Sequence, residues 1–270
     1  MLSSRVKSVL VFVPLILAMI ALGGVVYDLF FLAVILVGAC EYHRLLKTMG
    51  YYSSLPLLLV TVAIFIIQRM FLPAFYSELS LMIALTANAV MALLRYEQGD
   101  SQAALLFALH LAGSVYLGWL GSYFISIGHL PNGAYWTLIA FVIIWLVDMC
   151  AYFIGTKYGS RKMSLRLSPK KTWEGFAAGV AGGVVGGLLL SLLLRPWLPG
   201  FFFYKGIILG LLIGGLTPIG DVFISMLKRI AGVKDSGTLI PGHGGVLDRI
   251  DTWMWAMMMA YYLILLFGAG

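Results

Sequence analysis

Two aspartates lie where an ionisable side chain is costly. Asp148 falls in Ile143-Ile144-Trp145-Leu146-Val147-Asp148-Met149-Cys150, seven residues before Gly155, and Asp221 follows Thr217-Pro218-Ile219-Gly220, seven residues before Lys228. At a helical rise of about 1.5 Å per residue, both carboxyls sit roughly 10 Å inside the ends of their apolar runs. A charge at that depth marks a functional site by default; the bland alternative is a protonated acid bonded to a neighbouring helix, or one paired with a snorkelling lysine. Pro218 and Gly220 should kink or break the helix beside Asp221 and free backbone groups for an ion or a phosphate. Glu174, Asp248 and Asp251 open later apolar runs. Asp248 and Asp251 share a helix face, and helix capping is the competing role for that pair.

Basic residues gather close to these acids. In Ser168-Pro169-Lys170-Lys171-Thr172-Trp173-Glu174, Ser-Pro predicts a helix start. Lys170 and Lys171 would then oppose the macrodipole of its first turn, unless a bound phosphate restores the balance. Topogenic bias or attraction to anionic lipid is the other explanation, and it weighs more for Lys157, Arg161 and Lys162. A second segment runs from Lys228-Arg229 through Lys234-Asp235 to Gly242-His243-Gly244-Gly245. Its glycines allow an anion nest of backbone N–H groups flanked by cations, and with carboxylates able to hold Mg2+ it describes a nucleoside triphosphate site. His243 fits a general base, a phosphate donor or an interfacial turn residue. Zinc is excluded, because His43, His110 and His129 lie elsewhere without ligand spacing. Ser225, four residues after Asp221, either reaches the same ligand or bonds its own i−4 carbonyl.

Positioning these groups requires a membrane. Of 270 residues, 61% are apolar and 11% charged, with a mean hydropathy of +0.99, and apolar runs near the length of a bilayer span recur throughout. The expected fold is all-α and polytopic, with about nine transmembrane helices near 8–23, 25–40, 53–68, 74–94, 102–127, 134–154, 174–194, 206–227 and 250–268. Gly23-Gly24 should hinge the first two. Placing the N-terminus in the cytoplasm and the C-terminus on the opposite face leaves only Arg69, Arg195 and Lys205 of the 18 basic residues outside, as the positive-inside rule requires. Residues 1–130 read as transmembrane scaffold and 131–270 as a catalytic region with cytoplasmic loops 155–174 and 228–251. Cys40 and Cys150 read as reduced core residues. The two charged loops face one compartment, and the net charge of +7 is partly orientation signal and partly a counterweight to anionic substrates.

The stretch Ser225-Met-Leu-Lys228-Arg229, Lys234-Asp235, Gly237, Ile240-Pro241, His243-Gly244-Gly245, Leu247-Asp248-Arg249-Ile250-Asp251 resembles the signature of the phosphatidate cytidylyltransferases, also called CDP-diacylglycerol synthases. The segment from Asp148 to Gly155 and Ser168-Pro-Lys-Lys-Thr-Trp-Glu-Gly-Phe176 are similar to a second block of that family. The resemblance implies that CTP and phosphatidic acid give CDP-diacylglycerol and pyrophosphate with Mg2+, a second cation (divalent or K+) remaining open. It implies metal ligation by Asp221, Asp248 and Asp251, with Asp148 and Glu174 as additional ligands, and charge neutralisation by Lys228 and Arg249. Substrate contacts would come from Lys170, Lys171, Ser225, Arg229, Lys234, His243, Gly244 and Gly245. It further implies residence in the cytoplasmic (inner) membrane with the active site facing the cytoplasm, no nucleic-acid partner, and compatibility with a homodimer. The competing functions are transport of an anionic solute, which would need polar residues through the full bilayer depth, and CTP-dependent transfer to another lipid phosphate.

Overall fold

The computed structural model describes residues 2–72, 76–240, 242 and 244–268, with the side chains of residues 2–9 left undescribed. The chain folds as two compact units, Met1–Ser126 with Ile230–Ile250, and Ile127–Arg229 with Asp251–Gly270.

In the first unit, α1 (Leu2–Leu22) and α2 (Gly24–Thr48) part at Gly23, whose φ of 61° and ψ of −166° no helix accommodates. The expected Gly-Gly hinge is there because both glycines take positive φ, a conformation that costs a residue without Cβ little. Helices α3 (Leu55–Phe71), with Pro56 in its first turn, and α4 (Ser77–Glu97) follow. Next, α5 (Ala103–Gly113) runs through a π-helical turn, Ser114–Trp119, towards α6 (Tyr123–Gly128). Phe31 of α2 stacks on Phe124 at 4.3 Å, and the Tyr27 hydroxyl donates to Phe124 O at 2.8 Å, closing an aromatic core.

The second unit is built on α7 (Gly133–Tyr158), a two-stranded antiparallel hairpin of β1 (Lys162–Ser164) and β2 (Ser168–Thr172), and α8 (Trp173–Leu193). Then come α9 (Phe203–Leu216), α10 (Pro218–Ile230) and α11 (Leu247–Leu266), the last two running into the first unit at the ends nearest the 231–246 segment. Helices α8 and α9 touch backbone to backbone: a Cβ on Gly183 would meet Gly210 O, and one on Gly187 would meet Gly206 O. On the adjoining face of α8, Gly179 approaches the α7 backbone at Val147, and Gly182 and Gly186 leave room for the Cys150 and Leu146 side chains of α7.

The hairpin corrects one expectation. Ser168-Pro169 opens a strand, and the helix begins only at Trp173, where the Thr172 hydroxyl accepts the Gly175 N–H at 3.2 Å as N-cap. Lys170 and Lys171 therefore never stand in a helical first turn, and the macrodipole argument does not apply to them.

Among the described residues, six helices are long and apolar enough to cross a membrane: Gly24–Thr48, Ser77–Glu97, Ala103–Gly128, Gly133–Tyr158, Trp173–Leu193 and the α9–α10 pair Phe203–Ile230. The apolar stretches Leu10–Leu22 and Leu55–Phe71 are shorter, and α11 carries Asp248, Arg249 and Asp251 in its opening turns. The fold is thus mostly helical, with one short hairpin. Cys40 and Cys150 are free thiols.

Candidate active site

Within the second unit a cavity of about 300 Å³ is lined by α7, the hairpin, the start of α8 and the break between α9 and α10. That volume lies at the lower end of small-molecule sites. Asp148, Ala151, Tyr152 and Gly155 line it from α7, a spacing of three and four that puts them on one helix face. From β2 come Lys170 and Lys171, from α10 Pro218 and Asp221, and from α11 Thr252. Helix α10 begins at Pro218, and Thr217 closes the preceding turn by donating its hydroxyl to Ile213 O at 2.6 Å. The break falls beside Asp221, as Pro218 predicts.

Asp221 is held from two sides. The Lys171 ammonium lies 2.5 Å from Asp221 Oδ2, and the Ser225 hydroxyl donates to Oδ1 at 3.1 Å. Ser225 thus serves its i−4 side chain. Lys228 continues the same face of α10, three residues on, and is buried. Acids and lysines meet in one cavity open to both a cation and a phosphate, because Asp148 and Asp221 bring hard oxygen donors and Lys170 and Lys171 bring ammonium groups.

The other candidates lie in different settings. Glu174 is not part of the cavity lining: its carboxylate accepts the Ser160 hydroxyl at 2.6 Å and the backbone N–H groups of Ser160 and Arg161 at 3.1 to 3.2 Å, fastening the start of the hairpin to α8. Asp251 is buried and accepts the Thr252 N–H at 2.6 Å. Asp248 Oδ2 accepts the Ser236 N–H at 2.8 Å and the Gly245 N–H at 3.0 Å, and lies 2.9 Å from the Ser236 hydroxyl. The reach back to Gly245 is one half of a capping box. Arg229, Lys234 and Arg249 are exposed, and Gly244 takes a φ of +82° while its carbonyl accepts the Ile240 N–H. His243 lies outside the described residues. Among the described residues, no three His, Cys, Asp or Glu side chains form a ready-made metal cage.

Sequence reasoning passed over Glu41. This glutamate of α2 is 2% exposed and, within the first unit, accepts the Val246 N–H at 3.0 Å, the Leu247 N–H at 2.8 Å and the Ser236 hydroxyl at 2.8 Å. Its only sequence signal is a lone acid directly after the 25–40 apolar run.

Bilayer-length helices and a cavity lined by both carboxylates and lysines mark a membrane protein with a charged site within its helical part. The profile of the cytidylyltransferase family matches residues 3–267, and the chain belongs to that family; it is a nucleotidyltransferase. Among its relatives, the phosphatidate cytidylyltransferase of Synechocystis sp. is 30% identical over 98% of this chain and 97% of its own length. That of Pseudomonas aeruginosa is 34% identical over 100% and 98%. The Bacillus subtilis enzyme of the same name is 37% identical over 57% of each chain.

Proposed function

We propose that the chain transfers the cytidylyl group of CTP to phosphatidic acid, giving CDP-diacylglycerol and pyrophosphate in phospholipid biosynthesis. The observation that carries this reading is end-to-end similarity to phosphatidate cytidylyltransferases in a chain with a cavity lined by Asp148 and Asp221 together with Lys170 and Lys171. A phosphate oxygen of the lipid attacks the α-phosphorus of CTP in line; that P–O bond forms as the α–β phosphoanhydride breaks, and pyrophosphate leaves with the electron pair. Such a reaction asks the protein for positioning and charge neutralisation rather than covalent chemistry.

Lys170 and Lys171 neutralise phosphate oxygens in the cavity, and Ser225 holds the Asp221 carboxylate in orientation. Asp148 and Asp221 suit Mg2+, since both carboxylates line one cavity and one of them already attracts a cationic group. Bound there, Mg2+ would supply positive charge against the triphosphate. Asp248, Asp251, Lys228 and Arg249 are proposed contributors on the strength of the signature stretch, with Arg229, Lys234, Gly244, Gly245 and His243 as proposed substrate contacts. The distribution of basic residues supports about nine spans with the N-terminus in the cytoplasm, an inner-membrane location, and a site open to the cytoplasm where CTP arrives. Residues 1–130 then act as scaffold and 131–270 as the catalytic region.

The test uses the purified protein in mixed micelles with CTP labelled at the α- or γ-phosphate. The α-label should enter the lipid phase only with both phosphatidic acid and Mg2+, and the γ-label should appear in pyrophosphate. Transfer of γ-label to lipid would make the protein a kinase, and α-label in lipid with another lipid phosphate in preference to phosphatidic acid would change the acceptor.

A further inference from the structure

Glu41 gathers more long-range hydrogen bonds than the other polar side chains of α2 for which hydrogen bonds are seen. Its Oε1 takes the Val246 N–H and its Oε2 takes the Leu247 N–H and the Ser236 hydroxyl, so one carboxylate occupies the N-terminal turn of α11, where the helix favours an anion. Ser236 passes the connection on, because its hydroxyl also lies 2.9 Å from Asp248 Oδ2 and its N–H donates to that same oxygen. The surrounding backbone leaves no room for anything bulkier: a Cβ on either Gly237 or Gly245 would run into the Glu41 carboxylate. Two signature glycines thus find a physical reason in a residue some two hundred positions earlier. Charge-assisted bonds of this kind are shorter and stronger than neutral ones, and all of them lie inside the first unit.

We infer that Glu41 is a positioning residue for the reaction: it fixes the first turn of α11 and Ser236, and through them the Asp248 carboxylate. The inference rests on the proposed catalytic role of Asp248. Glu41 acts through Asp248, whose direction it sets.

The experiment compares Glu41→Gln, Glu41→Asp and Asp248→Asn in the full-length protein in detergent. Glutamine keeps the shape but turns one acceptor into a donor facing N–H groups, so kcat per folded molecule should fall about tenfold, by loss of charge-assisted bonds. The KM for CTP should stay within about threefold, since Lys170 and Lys171 of the cavity are untouched. Hydrogen exchange at the Val246 and Leu247 amides should accelerate while α7 and α8 remain protected. Glu41→Asp should restore part of kcat, as it keeps the charge. Normal kcat in Glu41→Gln with Asp248→Asn inactive would overturn the positioning role alone, whereas an active Asp248→Asn would overturn the reading of Asp248 on which it rests. Should Glu41→Gln fail to fold, Ser236→Ala decides: removing only the bridging hydroxyl should lower kcat roughly threefold or more at unchanged KM, and unchanged kcat would refute the link.

Discussion

Replacing Asp221 with Asn separates chemistry from architecture. Asn is nearly isosteric and its carbonyl can still accept from Ser225, so the change amounts to deleting one negative charge 2.5 Å from the Lys171 ammonium. At an effective dielectric of about 20, that contact is worth roughly 7 kcal/mol of direct attraction. The side chains are 29% and 37% exposed, however, and screening together with the cost of desolvating both ions reduces the net contribution to about 1 kcal/mol. Unfolding in detergent should therefore shift by only a few degrees. Turnover should fall about 100-fold or more, the usual cost of removing a charged group aimed at the reacting phosphates and equivalent to about 2.7 kcal/mol or more. Lys171→Met and the double variant complete the cycle, read by labelled CTP incorporation and thermal unfolding. If the pair were merely an architectural salt bridge, the neutral double variant would regain both stability and turnover. Recovered turnover there, or Asp221→Asn activity within about threefold of the parent protein, would refute the assignment of Asp221 to the reaction.

Two further outcomes are expected. Glu174→Gln should loosen the hairpin, giving faster proteolysis within residues 160–172 and a CTP KM raised roughly three- to tenfold with a smaller change in kcat, because β2 carries Lys170 and Lys171; a hundredfold loss of kcat with the hairpin still protected would instead put Glu174 in the chemistry. Gly187→Ala should destabilise by about 3 kcal/mol as its Cβ meets Gly206 O, whereas Gly200→Ala, where a Cβ meets nothing within 4 Å, should unfold at the parental temperature in the same detergent.

Local chemistry made part of the molecule legible. Gly23-Gly24 announced the break between α1 and α2, and Pro218 announced the one beside Asp221, because backbone preference alone decides such points. Asp148 and Asp221 were visible as acids at matching depth, and the structure lines one cavity with both. The hairpin was misread because Ser168-Pro169 resembles a helix start, while Thr172, four residues later, wins the capping role once β2 pairs with β1. Pairing across a turn is a tertiary fact that a helix-start pattern does not contain. Glu41 was passed over for a related reason. Its partners Ser236, Val246 and Leu247 stand about two hundred residues away, and a carboxylate at the end of an apolar run looks the same whether it faces water or caps a distant helix. Glu174 shows the converse: the right residue type at an interface, with its lone pairs committed to Ser160 and Arg161.

The glycines on two sides of α8 also govern how this helix can change over evolutionary time. Gly183 and Gly187 meet the α9 backbone, and Gly179, Gly182 and Gly186 meet α7, so substitution at Gly183 or Gly187 forces two main chains apart and substitution at Gly182 or Gly186 displaces α7 side chains. What remains is the stripe of Val185, Leu189, Leu192 and Leu193, all exposed. Sequence drift in α8 is therefore channelled onto one exposed edge, where residues can be exchanged to suit a thicker, thinner or differently saturated bilayer while the lining of the cavity stays as it is.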